Sequence, residues 1–84
     1  RGPVQVSPAA ALAMGARLFE QKRLAAAEQV CRQLIAERPR LAEAHNILGV
    51  TLHAAGQVEA AMAALEAAAE LAPASAAIRA NLGE

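Results

Sequence analysis

The sequence has almost no aromatic residues. Its 84 residues include no Trp and no Tyr, and Phe19 is the only Phe. Aromatic side chains bury more area than other residues, and a chain of this length is close to the limit at which one hydrophobic core suffices for folding. We therefore expect a single small domain with a thin core and modest stability.

Cysteine and other reactive residues are also scarce. Cys31 is the only cysteine, which excludes an intrachain disulfide and is compatible with a reducing, cytoplasmic location. His45 and His53 are eight residues apart, too distant along a helix to share a metal ion. The sequence has neither a Gly-rich phosphate loop nor a Ser-His-Asp arrangement. We therefore expect no enzymatic activity, no metal and no cofactor.

The chain has no net charge and no long apolar run. Its formal charge at pH 7 is zero, which argues against nucleic acid or a membrane surface as a general partner. Each run of eighteen residues contains polar or charged residues, so a membrane-spanning helix is not expected. We therefore expect neither nucleic acid nor a membrane as a partner.

Apolar and small residues recur with a period of 34. Gly15 and Gly49, Leu18 and Leu52, Ala27 and Ala61, and Pro39 and Pro73 are each 34 residues apart, and Leu48-Gly49 recurs as Leu82-Gly83. A fixed period of this length indicates a stacked repeat array. The unit is most complete over residues 41–73, which read LAEAHNILGVTLHAAGQVEAAMAALEAAAELAP.

The order of these landmarks resembles the tetratricopeptide repeat (TPR): a Leu-Gly pair, an apolar residue three further on, an Ala opening the second helix and a closing Pro. The resemblance implies an all-α, right-handed superhelical solenoid of antiparallel helix hairpins, with about two and a quarter units and five helices. The implied organisation is an extended lead-in at 1–7, repeats at 8–41 and 42–75, and a first helix of an incomplete third repeat at 76–84, acting as a cap.

Helical periodicity, together with capping and helix-breaking residues, predicts five helices. They span about 8–21, 24–37, 41–55, 58–71 and 76–83, with Ser7 and Ser75 as N-caps and Pro39 and Pro73 as stops. Glu28 and Arg32 are spaced to pair across one exposed turn. The predicted inward residues are Ala11, Met14, Gly15 and Leu18, then Ala27, Val30, Cys31, Leu34 and Ile35, then Ala44, His45, Leu48, Gly49 and Leu52, then Ala61, Ala64, Leu65, Ala68 and Leu71.

Two features of the hairpins carry specific expectations. Gly15 and Gly49 lie in mid-helix, where Gly is unfavourable by about 0.5–1 kcal/mol relative to Ala, so we expect close approach of the paired helix at both. Lys22 takes the place of Gly56 at the first hairpin turn. Because a left-handed backbone is unfavourable for Lys, we expect the first turn to be less well formed than the second.

The TPR resemblance also implies a binding surface. The first helix of each hairpin lines the concave groove of such a stack, and an amphipathic helix or extended peptide lies along it. Phe19 is read either as an apolar anchor for a partner or as a residue packed on its own helix pair. The predicted groove residues are Leu12, Ala16 and Phe19 in the first repeat and Asn46, Val50 and His53 in the second, with Glu20 and Glu43 at the edge.

Three functions are compatible with this sequence. The first is a protein-interaction module of a larger bacterial scaffold or assembly protein, which binds a peptide or helix in the groove. The second is the N-terminal accessory array of a transferase-type enzyme whose catalytic domain lies elsewhere. The third is self-association, because residues 1–40 hold seven Lys or Arg and three Glu, whereas residues 41–84 hold one Arg and five Glu. A window on a longer repeat array would show the same gradient.

Overall fold

The computed structural model describes residues 7–83, and all regular structure in that range is helical. The helices are α1 (Pro8–Glu20), α2 (Leu24–Glu37), α3 (Ala42–Ala54), α4 (Val58–Leu71) and α5 (Ala76–Leu82). Each of the five helices starts and ends within two residues of its predicted bounds. The predicted lead-in lies outside the described residues, except for its last residue, Ser7.

Local sequence explains where the helices begin and end. Ser7 Oγ accepts a hydrogen bond from the backbone N–H of Ala10 at 3.1 Å, and Ser75 Oγ accepts one from Ile78 at 3.3 Å. Both serines are therefore N-caps, as predicted. The helices α2 and α4 end two residues before Pro39 and Pro73, because proline disfavours helical backbone in the residue that precedes it.

Short connections stack the helices around α3. Three or four residues separate successive helices, so neighbouring helices run antiparallel. Contacts join α3 to α1, α2, α4 and α5, whereas α2 and α4 do not touch each other. The first helices of the hairpins (α1, α3 and α5) therefore lie side by side, and α2 and α4 lie on the other side of α3.

The core lies between α3 and its neighbours. One buried cluster consists of Cys31, Leu48, Leu52, Ala61 and Ala64, with Ile35 and Ile47 packed against it. A second cluster joins α3, α4 and α5 and consists of Ala42, Ala68 and Ile78. Burial of a Leu or Ile side chain contributes about 1.5–3 kcal/mol, whereas Ala contributes much less. Six of the twelve buried hydrophobic residues in the described part of the chain are Ala, so the core is thin, as predicted.

Two residues predicted to face inward are exposed. Met14 is 45% exposed, whereas its equivalent one repeat later, Leu48, is 5% exposed. The difference arises because α3 has packed helices on both sides, while α1 contacts only α2 and α3 among the described residues. Leu71 is 38% exposed. It lies about 100° around α4 from Ala72, the residue that packs toward α5, so α5 does not cover it.

Three buried residues are absent from the predicted inward set, Ala42, Ile78 and Thr51, and only Thr51 is polar. Thr51 is 1% exposed, and its hydroxyl makes no hydrogen bond among the described residues. A Thr next to the apolar stripe of a helix is expected at the exposed polar edge. The equivalent residue in α1, Arg17, is indeed exposed. Burial of Thr51 follows from the packing of α3 between two hairpins, which the helical pattern alone does not specify.

The first hairpin turn corrects the expectation for Lys22. Its backbone is left-handed, with φ of 64°, close to the 85° of Gly56. Lys22 N–H bonds to Phe19 O and Arg23 N–H to Leu18 O at 3.0 and 2.9 Å, and the second turn repeats both bonds at the same distances. Both turns are therefore complete Schellman motifs, and the first is as well formed as the second. Lys22 therefore adopts the unfavourable left-handed backbone, and the turn keeps both of its backbone hydrogen bonds.

Candidate functional site

The candidate site is formed by residues of α1 and α3. At about 100° per residue, a spacing of i, i+4 and i+7 keeps side chains on one face of a helix. We refer to the combined surface as the α1–α3 face. Its members are Leu12, Ala16 and Phe19 on α1 and Asn46, Val50 and His53 on α3.

The seam between α1 and α3 fixes the direction in which both rows point. The position of a Cβ on Gly15 would be 3.7 Å from Cγ2 of Ile47, so these two residues lie where α1 meets α3. The α1 row is about 70° from Gly15 around its helix, and the α3 row is about 90° from Ile47 in the opposite sense. Because the two helices run in the same direction, these opposite rotations turn both rows to the same side of the pair.

The residues of the α1–α3 face differ in exposure. Leu12, Ala16, Phe19, Asn46 and Val50 are half-buried, and His53 is exposed. Half-burial of Phe19 means that part of its ring packs on the protein and part remains accessible. An apolar row on α1 therefore lies beside a row on α3 that also offers an amide and an imidazole.

The two acidic residues predicted for the edge are exposed. Glu20 is the last residue of α1, and Glu43 is in the first turn of α3. Because α1 and α3 run in the same direction, these carboxylates lie at opposite ends of the α1–α3 face. They do not form a single acidic cluster.

Asn46 is already engaged within the protein. Asn81 Nδ2 of α5 donates a hydrogen bond to Asn46 Oδ1 at 2.8 Å. The bond leaves the amide N–H groups of Asn46 and the carbonyl oxygen of Asn81 available, a donor and an acceptor side by side. Such a pair matches the acceptor and donor of a peptide backbone, and it extends the α1–α3 face toward α5.

Asn81 was not predicted as a site residue, although the repeat contains the signal. A step of 34 residues places Asn81 at the position of Ile47. Since Ile47 contacts the preceding first helix, α1, the equivalent residue of α5 contacts α3. The repeat register therefore predicts where α5 meets α3. That Asn46 and Asn81 form a hydrogen bond there is seen only in the structure.

The remaining polar candidates have structural roles. Nε2–H of His45 donates to the carbonyl oxygen of Pro39 at 2.9 Å, which ties α3 to the turn before it. Arg32 Nε donates to Glu28 Oε2 at 2.8 Å, so the predicted pair is formed. Burial raises the pKa of the Cys31 thiol to about 11, so the thiol is protonated and unreactive at pH 7.

The part of the chain that the structure describes has neither a metal-binding cluster nor a membrane-spanning helix. Between residues 7 and 83, no three His, Cys, Asp or Glu side chains gather in a way that could hold a metal ion. No helix in that range has the length and apolar character needed to cross a bilayer.

Comparison with known proteins identifies a family match. The model of the tetratricopeptide repeat matches residues 18–82, more than half of the chain. A comparison with curated proteins finds no match.

Proposed function

Because the chain belongs to the tetratricopeptide repeat family, whose members are generally protein-interaction modules, we propose that it binds a segment of another protein along the α1–α3 face. In this proposal the segment is an amphipathic helix or an extended peptide, and the module acts by binding rather than by catalysis. It serves a larger scaffold or assembly protein in the cytoplasm.

The observation that carries the proposal is the two aligned rows on parallel helices. Each row spans eight residues, with a rise of about 10 Å from the first to the last, which is the length of two helical turns of a partner. Phe19, Leu12 and Val50 supply partly accessible apolar surface. The Asn46–Asn81 pair supplies a donor and an acceptor next to it. This combination suits a segment that presents both apolar side chains and a hydrogen-bonding backbone or amide.

A substitution of Phe19 tests the proposal. Binding peptides are first selected from a displayed library of random peptides, and the affinity of a selected peptide is measured by fluorescence anisotropy. We expect Phe19→Ala to weaken this affinity about tenfold, because loss of a partly buried aromatic anchor removes on the order of 1.4 kcal/mol of binding free energy.

Met14→Ala is the matched control. Met14 is a large exposed residue on the same helix, but it points away from the α1–α3 face, so we expect the peptide affinity to be unchanged. Circular dichroism of both variants verifies that helicity is retained. Equal affinities of the parent and Phe19→Ala would exclude Phe19 and the surface around it as the binding site.

A second copy of the chain is the alternative occupant of this face. The two halves of the sequence carry opposite charge, which favours association modestly because salt screens exposed charges over about 8 Å. Light scattering over a tenfold range of protein concentration distinguishes a foreign peptide from a second copy of the chain as the occupant. A constant monomer mass supports a foreign peptide as the occupant, and a mass that rises to a dimer supports self-association.

A further inference from the structure

A second recess lies on the opposite side of the molecule. It is an open groove of about 560 Å³ between α2 and α4, which we call the α2–α4 groove. Leu48 and Leu52 of α3 form its floor, Ile35 lies on the α2 wall, and Ala60, Ala63 and Ala67 lie on the α4 wall. Its volume is within the range of 300–1,000 Å³ that is usual for ligand sites.

The groove exists because the α4 wall is made of small side chains. The helices α2 and α4 do not touch, and Ala60, Ala63 and Ala67 do not fill the space between them. The equivalent positions of α2, 34 residues earlier, hold Ala26, Gln29 and Gln33. Two of the three are larger, so the open wall is a property of the second hairpin and not of the repeat in general.

The groove is independent of the α1–α3 face. On α3, Leu48 is about 200° from Asn46, and Leu52 is about 200° from Val50. The floor of the groove and the α1–α3 face therefore lie on opposite sides of the same helix. A ligand in one does not contact the side chains of the other.

The rim of the groove on α4 is acidic. Glu59 and Glu66 lie four and three residues from Ala63, and Glu70 lies three residues from Ala67, so the three exposed carboxylates flank the alanine wall. The sequence of α4 contains no Lys or Arg. On the α2 wall, Arg32 is paired with Glu28 at 2.8 Å. Among the described residues, no cation forms an ion pair with the α4 carboxylates.

We propose that the α2–α4 groove is a second docking site and that its occupant is a basic amphipathic helix. Apolar side chains of that helix enter the groove above Leu48 and Leu52, and its Lys or Arg residues pair with Glu59, Glu66 and Glu70. The three carboxylates extend over about 16 Å of α4, so the partner helix has at least three turns. The module thereby joins two partners on opposite faces.

Two synthetic peptides test the charge requirement. Both have eighteen residues and the same stripe of Leu and Ala, but one has Lys and the other Glu on its polar face. Each is titrated into the ¹⁵N-labelled chain and followed by amide chemical shifts. We expect the Lys peptide to shift Ala36, Ala63 and Ala67 more than Ala16 and Val50. We also expect it to bind about tenfold more tightly than the Glu peptide and to weaken as salt is raised.

Variants of the acidic rim and of the apolar groove test the two contributions to binding separately. Glu66→Lys with Glu70→Lys reverses the rim, and we expect it to weaken binding of the Lys peptide about tenfold. Ala63→Leu fills the groove from an exposed position, so it is expected to weaken binding without disturbing the core. Glu37→Lys reverses one exposed carboxylate of α2. Glu37 lies about 200° around the helix from Ile35, outside both surfaces. This variant is the control, with affinity unchanged.

Several results would overturn the proposal. Equal affinity for the two peptides would show that the acidic rim does not select the partner. Shifts confined to Ala16 and Val50, or no shift at millimolar peptide, would show that the groove is not a docking site for such a helix. Shifts at Ala63 and Ala67 on raising the concentration of the chain alone would identify a second copy as the occupant.

Discussion

The two mid-helix glycines differ in what surrounds them, although they occupy equivalent places in the repeat. A Cβ on Gly49 would lie 2.6 Å from Cγ and Cδ2 of Leu65 and 3.3 Å from the carbonyl oxygen of Ala61. A Cβ on Gly15 would lie 3.4 Å or more from its nearest neighbours, Cys31, Ile47 and Val30. Close approach of the paired helix is therefore confirmed for Gly49, whereas at Gly15 the expectation was wrong because Ala fits there.

This difference predicts opposite effects of the same substitution. Gly49→Ala is expected to destabilise the fold by about 1–3 kcal/mol, because the added methyl group would force the buried Leu65 side chain, which is 3% exposed, to shift. Gly15→Ala is expected to stabilise it by about 0.5–1 kcal/mol through the better helix propensity of Ala. Urea denaturation of both variants measures the two changes. A loss of stability in Gly15→Ala equal to that in Gly49→Ala would show that the packing of α1 on α3 is tighter than described.

The sequence predicted these residue-scale features unevenly, for a physical reason. The period of 34 identifies equivalent positions, so it located both glycines, both prolines and the inward faces of α2 and α3. It does not tell how far apart two helix axes are, because that depends on all the side chains between them. Met14, Thr51 and Gly15 are the positions where this distance, or the presence of a neighbouring helix, determines the outcome.

At the scale of the element, each hairpin is set by its turn. Both turns are Schellman motifs with the same pair of backbone hydrogen bonds. They differ in the residue that takes the left-handed conformation, which is Lys22 in the first hairpin and Gly56 in the second. Helix α1 has a Ser cap at its start and α2 has none. Because Lys22 has an unfavourable left-handed backbone, the turn between α1 and α2 is the place where one substitution can stabilise the first hairpin.

Lys22→Gly is expected to raise the free energy of unfolding by about 1 kcal/mol, because Gly adopts positive φ without the steric cost that Lys has there. Gln21→Gly is the control: Gln21 has φ of −81°, so Gly only adds flexibility and is expected to destabilise by about 0.5–1 kcal/mol. Thermal unfolding of the two variants is compared with the parent. A Lys22→Gly variant no more stable than the parent would mean that Lys22 gains compensating contacts in its left-handed conformation.

At the scale of the whole molecule, the arrangement separates two surfaces by one central helix. α3 contacts the four other helices, and it contributes Asn46, Val50 and His53 to the α1–α3 face and Leu48 and Leu52 to the α2–α4 groove. The sequence predicted the helices from their periodicity. The rows of the first surface are a prediction from the TPR resemblance together with helical spacing. The sequence did not predict the second surface, because a groove depends on the space between α2 and α4, two helices with no contact between them.

The most direct test of this account is the nuclear Overhauser effect between the Hα protons of Gly15 and the γ2 methyl of Ile47. The α1–α3 face exists only if α1 packs beside α3 at these residues, where Cγ2 of Ile47 lies 3.7 Å from the Cβ position of Gly15. The account predicts a strong cross-peak, together with one between the side-chain amide protons of Asn81 and the Hβ protons of Asn46. Absence of the Gly15–Ile47 cross-peak in a well-resolved spectrum would contradict the shared face and, with it, the proposed binding surface.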